Sequence, residues 1–126
     1  MILGIGADLM EARRILSMPE EDPFFQKVFT EQERRQAAER PAPLRYYASH
    51  FAGKEAVCKA LSINPDIVRL NDIEILNDGF GRPAVTLYGT AAAHALAVGI
   101  TDIHISLSWE TELCLAFAVA EGGRQD

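Results

Sequence analysis

The sequence predicts an α+β domain, a mainly antiparallel sheet with one long central helix. Three observations predict it. Residues 2–9 and 103–109 change side-chain character at every second position, the period of a strand. Residues 44–62 instead carry Leu44, Tyr47, Ala48 and Phe51 at helical spacing. Strands come in runs with helices inserted between them, rather than in strict alternation with helices.

In the first strand, Leu3, Ile5, Ala7 and Leu9 share one face. The opposite face is nearly bare backbone, Gly4 and Gly6, until Asp8. Residues 11–18 read as a short helix bearing Arg13, Arg14 and Met18, and the acidic stretch from Pro19 to Pro23 reads as a loop. Thr30 with Glu33 three residues on is a capping box, so a helix opens there and stops near Pro41. The long helix spans about Leu44 to Ser62. Its apolar stripe turns charged halfway, at Glu55 and Lys59. Residues 72–76 and 83–88 read as strands joined by the glycine-rich turn Asn77–Arg82. Thr90–Val98 is an alanine-rich helix closed by Gly99. Ile103, Ile105, Leu107 and Trp109 then face away from His104, Ser106 and Ser108. In the last strand Leu113, Leu115, Phe117 and Val119 face away from a row of small residues. Residues 1–121 are expected to form one domain, and 122–126 a disordered tail.

At 126 residues the chain suits one compact domain, small enough that oligomerisation is a reasonable expectation. The net charge of −6 argues against a general nucleic-acid binder. No segment approaches the ~20 apolar residues of a membrane span. The first residues run directly into a strand, without the basic stretch and cleavage site of a signal peptide. The expectation is a cytoplasmic protein without membrane contact, its two cysteines reduced and in apolar contexts.

Three places could carry chemistry. Gly4 and Gly6 clear one strand face beside Asp8. Either a ligand approaches there, or a helix packs closely and Asp8 caps the next helix. Glu55 and Lys59 stand four apart on one helix face, as a surface ion pair would, yet they continue the apolar stripe. Burying an unpartnered carboxylate is costly, and a divalent cation shared by Asp8 and Glu55 would relieve that cost. Magnesium suits few carboxylates, several waters and substrate phosphate oxygens, with Lys59 facing the phosphate as a point charge. The third place is the His104, Ser106 and Ser108 face, which is either ligand-facing or an ordinary exposed strand face. His50 and His94 are read as structural.

Gly4-Ile5-Gly6-Ala7-Asp8 resembles the opening motif of the holo-acyl-carrier-protein synthase family. Phe51-Ala52-Gly53-Lys54-Glu55-Ala56-Val57-Cys58-Lys59-Ala60 resembles its second signature. The Gly81-Arg82-Pro83 turn and the His104–Ser108 strand follow in the family's order, so the resemblance covers essentially the whole chain. Two positions depart from it: His50 stands where arginine is more common, and Trp109 where histidine is.

The resemblance implies a 4′-phosphopantetheinyl transferase-like fold and a homotrimer with active sites at subunit interfaces. It implies transfer of phosphopantetheine from coenzyme A (CoA) to a serine of an acyl carrier protein, releasing 3′,5′-ADP. Asp8 and Glu55 would hold Mg²⁺, and Asp8, Glu55 and Lys59 would be catalytic. Lys54, Cys58, Lys59, Gly81, Arg82, Pro83, His104 and Ser106 would meet CoA, while Arg13, Arg14 and Met18 would meet the carrier. The rival readings are a magnesium-dependent hydrolase of nucleotide phosphoanhydrides and a catalytically degenerate CoA-binding or carrier-docking module.

Overall fold

The computed structural model describes residues 1–123. The elements are β1 (Ile2–Glu11), α1 (Arg13–Leu16), α2 (Pro23–Val28), α3 (Glu31–Ala38), α4 (Pro43–Leu61), a 3₁₀ turn (Leu70–Asp72), β2 (Ile73–Asn77), β3 (Pro83–Leu87), α5 (Gly89–Val98), β4 (Ile100–Glu110) and β5 (Leu113–Gly122). They make two antiparallel sheets: three strands in the order β1-β5-β4, and the β2-β3 hairpin. Among the described residues no helix is long and apolar enough to cross a membrane. The last strand runs past the expected limit at residue 121. Gly122 pairs with Ile100, and its N–H donates to the Met1 carbonyl at 2.8 Å. Residues 124–126 of the expected tail lie outside the described residues.

The loop expected from Pro19 to Pro23 gives way at Pro23 to α2, a helix outside the expected elements. Asp22 caps it, accepting the Phe24 N–H at 2.9 Å, and Pro23 occupies the first turn, where a missing N–H costs nothing. Phe24, Phe25 and Phe29 then pack their rings on Tyr47 and Phe51 of α4. The capping box of α3 forms as read: Thr30 Oγ1 accepts the Glu33 N–H at 3.1 Å, and Glu33 Oε1 accepts the Thr30 N–H at 2.8 Å.

Glycines and alanines bring α4 down onto the three-stranded sheet. A Cβ on Gly4 would stand 1.9 Å from the Ala60 carbonyl oxygen, and one on Gly6 would stand 2.1 Å from that of Ala56. Cys114, Ala116, Ala118 and Ala120 of β5 lie fully buried beneath the same helix. On the β4 side, Ile105 and Leu107 press against Gly53.

The face that α4 covers is therefore the small-residue face. The large apolar residues of β1 and β5 point the other way and stay uncovered in one protomer: Ile5 is 60% exposed, Leu9 65% and Phe117 44%. In register, Ala7 lies opposite Phe117 and Phe117 opposite Ser106, so this open face runs across all three strands.

Candidate active site

The close approach of α4 to β1 assembles the first charged group. Asp8 follows Gly4 and Gly6 on the face that α4 covers. Lys59 reaches back to β1, its Nζ donating to the Ala7 carbonyl at 2.8 Å and standing 3.6 Å from Asp8 Oδ1. Glu55 lies one turn earlier, half-buried. Burial pushes its carboxyl above the usual carboxylate range, and the negative charge of Asp8 pushes the same way. Lys59 and Arg14 pull it down, and Asp66 adds a weaker push upward. Asp8, Lys59, Arg14 and Asp66 thus all act on one half-buried carboxylate. Asp8 does not cap α1, whose N-cap is Ala12 without any side-chain cap.

These two neighbouring carboxylates form a donor set of hard oxygens. Among the described residues no group of three or more His, Cys, Asp or Glu side chains could cage a metal. A cation here would complete its shell with water and substrate oxygens, which is how Mg²⁺ is usually held. The residues fit that ion.

Two of the expected CoA contacts point elsewhere. Lys54 is fully buried. Its ammonium pairs with Glu33 Oε1 at 2.8 Å and donates to the Leu70 and Ile73 carbonyls, so all three donors are used. Glu33 Oε2 in turn accepts the Ile75 N–H at 2.9 Å. Burial lowers the Lys54 pKa and raises that of Glu33, and the mutual attraction of the pair opposes both shifts. Lys54 is the hub joining α3, α4 and β2. Cys58 also faces the core, where burial pushes its thiol up to about 11, and it offers no surface to a ligand.

The remaining expected contacts lie across the sheet. Gly81, Arg82 and Pro83 form the end of the β2-β3 hairpin. Gly81 and Pro83 line a cavity of about 170 Å³ together with His50, Asn77, Ser108 and Trp109. An adjoining cavity of about 370 Å³ has Arg40 and Arg45 on its wall, and the Arg45 guanidinium lies 4.8 Å from the Trp109 ring centre. His104 and Ser106 sit on the open face of β4, where His104 Nε2 lies 3.1 Å from Glu121 Oε1.

Strands β1 and β4 are the two edges of one sheet. Asp8 faces α4, whereas His104 and Ser106 face away from it. One protomer therefore cannot bring these residues together. On α1, Arg13 and Arg14 are exposed, with Arg13 Nε 2.7 Å from Glu11 Oε2, whereas Met18 packs partly against the core. Asp66 and Arg45 are charged residues at these places that motif reading does not flag. Neither falls in a repeating pattern, and only folding brings them near Glu55 and Trp109.

A family model described as the 4′-phosphopantetheinyl transferase superfamily matches residues 4–118. The chain is 43% identical over 124 residues to a holo-[acyl-carrier-protein] synthase of Desulforudis audaxviator, covering 97% of this chain and 95% of that one. An acyl carrier protein synthase from Plasmodium yoelii, solved with ADP bound, superposes with a TM-score of 0.88 at 33% identity, covering 98% of each chain. A synthase–CoA complex from Chronobacterium ammoniagenes superposes with a TM-score of 0.81 at 31% identity, covering 96% of this chain and 98% of that one.

Proposed function

Because the chain belongs to the 4′-phosphopantetheinyl transferase superfamily, we propose that it transfers 4′-phosphopantetheine from CoA to a serine of an apo acyl carrier protein, releasing 3′,5′-ADP. The product carrier serves fatty-acid biosynthesis. The observation that carries this reading is the Asp8–Glu55–Lys59 group, gathered at one edge of the sheet in a chain that matches its relatives along nearly its whole length.

The chemistry asks chiefly for positioning and charge neutralisation. Asp8 and Glu55 are the residues that would hold Mg²⁺, and the ion would supply positive charge to offset that of the CoA pyrophosphate. Lys59, anchored at Ala7 and Asp8, sets an ammonium beside the same oxygens and offsets charge on the departing nucleotide. A carboxylate of this pair accepts the serine proton, directly or through water. Arg14 stands on exposed α1 and also acts electrostatically on Glu55. A carrier docked on Arg13 and Arg14 would thus present its serine at the carboxylates.

The assembly is a homotrimer, and two features support it. The apolar face of Ile5, Leu9 and Phe117 is uncovered in one protomer, and apolar surface of this kind marks an interface. The carboxylate group and the hairpin-side cavities also lie at opposite edges of the sheet, so neighbouring copies are needed to complete a site. The buried, unbridged Cys58 and Cys114 suit a reducing, cytoplasmic setting.

One assay tests the function. The protein is incubated with CoA, Mg²⁺ and an apo carrier, and the carrier is then weighed by mass spectrometry. Gain of one phosphopantetheine per carrier is expected. Phosphate release without carrier modification would indicate a hydrolase, and binding without turnover a docking module.

A further inference from the structure

Strand β2 pairs with β3 on one side only, and its other edge faces α3 and α4. An edge strand leaves N–H and C=O groups that need partners. Side chains supply them here. Lys54 Nζ donates to the Ile73 carbonyl, and Glu33 Oε2 accepts the Ile75 N–H at 2.9 Å. At the end of the strand one glutamine serves both backbone groups of a single residue. Gln36 Oε1 accepts the Asn77 N–H at 2.9 Å, and Gln36 Nε2 donates to the Asn77 carbonyl at 2.8 Å. A primary amide carries both the donor and the acceptor that a neighbouring strand would offer. Asn77 lies opposite Pro83, which has no N–H to give. The Tyr46 hydroxyl donates to the same Gln36 Oε1 at 2.8 Å.

Glu33 and Lys54 are sealed in the core, where their bonds hold the fold. Asn77 is only half-buried, and water could take both of its backbone groups at little cost. The Gln36 bonds therefore add direction more than stability. Asn77 is the residue from which the turn toward Pro83 departs, and it lines the cavity of His50, Gly81, Pro83 and Trp109. Tyr46 stacks on His50, which lines the same cavity. Gln36 does not line it, yet it holds two of its walls, one through Asn77 and one through Tyr46. From these three hydrogen bonds we infer that Gln36 is a positioning residue of the transfer proposed above, on which this inference rests. It fixes the hairpin turn and the His50 ring in the arrangement that receives CoA.

The test compares Gln36→Met and Gln36→Glu with the wild type. Methionine keeps the length of the side chain and makes none of the three bonds. Gln36→Met is expected to raise the KM for CoA about tenfold, about 1.4 kcal/mol, with kcat and the KM for the carrier unchanged. Glutamate keeps the acceptor for Asn77 and Tyr46 but cannot donate to the Asn77 carbonyl, so Gln36→Glu should fall between the two. An unchanged KM for CoA in Gln36→Met would overturn the inference. So would a fall in stability and kcat together at constant KM, which would make Gln36 a purely structural residue, or a raised KM for the carrier alone. Circular dichroism should be the same for all three proteins; should Gln36→Met differ, a wild-type KM for CoA in Gln36→Glu would overturn the inference instead. Calorimetric titration with CoA reads the same contrast without turnover. A wild type that binds CoA but modifies no carrier would refute the transfer reaction, and the affinity of Gln36→Met relative to it would still decide the role of Gln36.

Discussion

His50 should make the protein lose stability in mild acid. Its Nδ1 lies 2.8 Å from the Tyr46 carbonyl, so Nδ1 carries the proton and donates it. The ring stacks on Tyr46 with centres 3.7 Å apart and planes 15° from parallel. Burial lowers its pKa from 6.5 to about 4. In the unfolded chain the ring takes up a proton below about pH 6.5, whereas the folded protein resists protonation down to about pH 4. Stability from the neutral ring is therefore complete above pH 6.5 and declines as pH falls toward 4. At about 1.4 kcal/mol per pH unit the full loss is about 3 kcal/mol, of which about 2 kcal/mol is gone by pH 5. Urea unfolding at pH 7.5 and pH 5, at one protein concentration, measures it in the wild type and in His50→Phe. Phenylalanine keeps a stacking ring without a titrating group, and titrations common to both proteins cancel in the comparison. The wild type should lose about 2 kcal/mol more than the variant. Equal losses would refute the reasoning.

Asp8→Ala and Glu55→Ala should each reduce transfer at limiting Mg²⁺ by at least about a hundredfold with an unchanged circular dichroism spectrum; near-normal turnover by either variant would remove the shared-cation site. Lys54→Met should cost about 3–5 kcal/mol in urea unfolding, because it leaves Glu33 buried and unpaired, and adding Glu33→Gln should restore part of that. A Lys54→Met protein of normal stability with a raised KM for CoA would return Lys54 to the ligand site. Gly6→Ala should destabilise by about 2 kcal/mol or more, read as a lowered Tm, since its new Cβ would meet the Ala56 carbonyl rather than a yielding side chain. Arg14→Glu should raise the KM for the carrier several-fold at low salt and leave that for CoA unchanged, with the effect shrinking as salt is added.

The period-two rows along β1, β4 and β5 and the capping box at Thr30 are local features, and each is legible in the sequence because each depends on residues within a few positions. The two signatures are legible for the same reason, since both are contiguous. The helix over 23–28 also had a local signal, Asp22-Pro23 ahead of paired phenylalanines, which an acidic-loop reading passes over. Alternation identifies two faces of a strand but does not say which one receives a helix. On β1 and β5 the small residues are buried and the large ones open, because a helix backbone can settle onto glycine and alanine but not onto Leu9 or Phe117. Lys54 and Glu55 are adjacent in one signature, yet a single residue step turns a helical side chain by about 100°. That rotation sends Lys54 into the core to neutralise Glu33, and Glu55 to the edge beside Asp8. The residue types follow from the sequence alone. Which charge is sealed inside and which meets its neighbours at the surface was decided only when α3, α4 and β2 closed around Lys54, because a buried ion needs partners that distant segments supply.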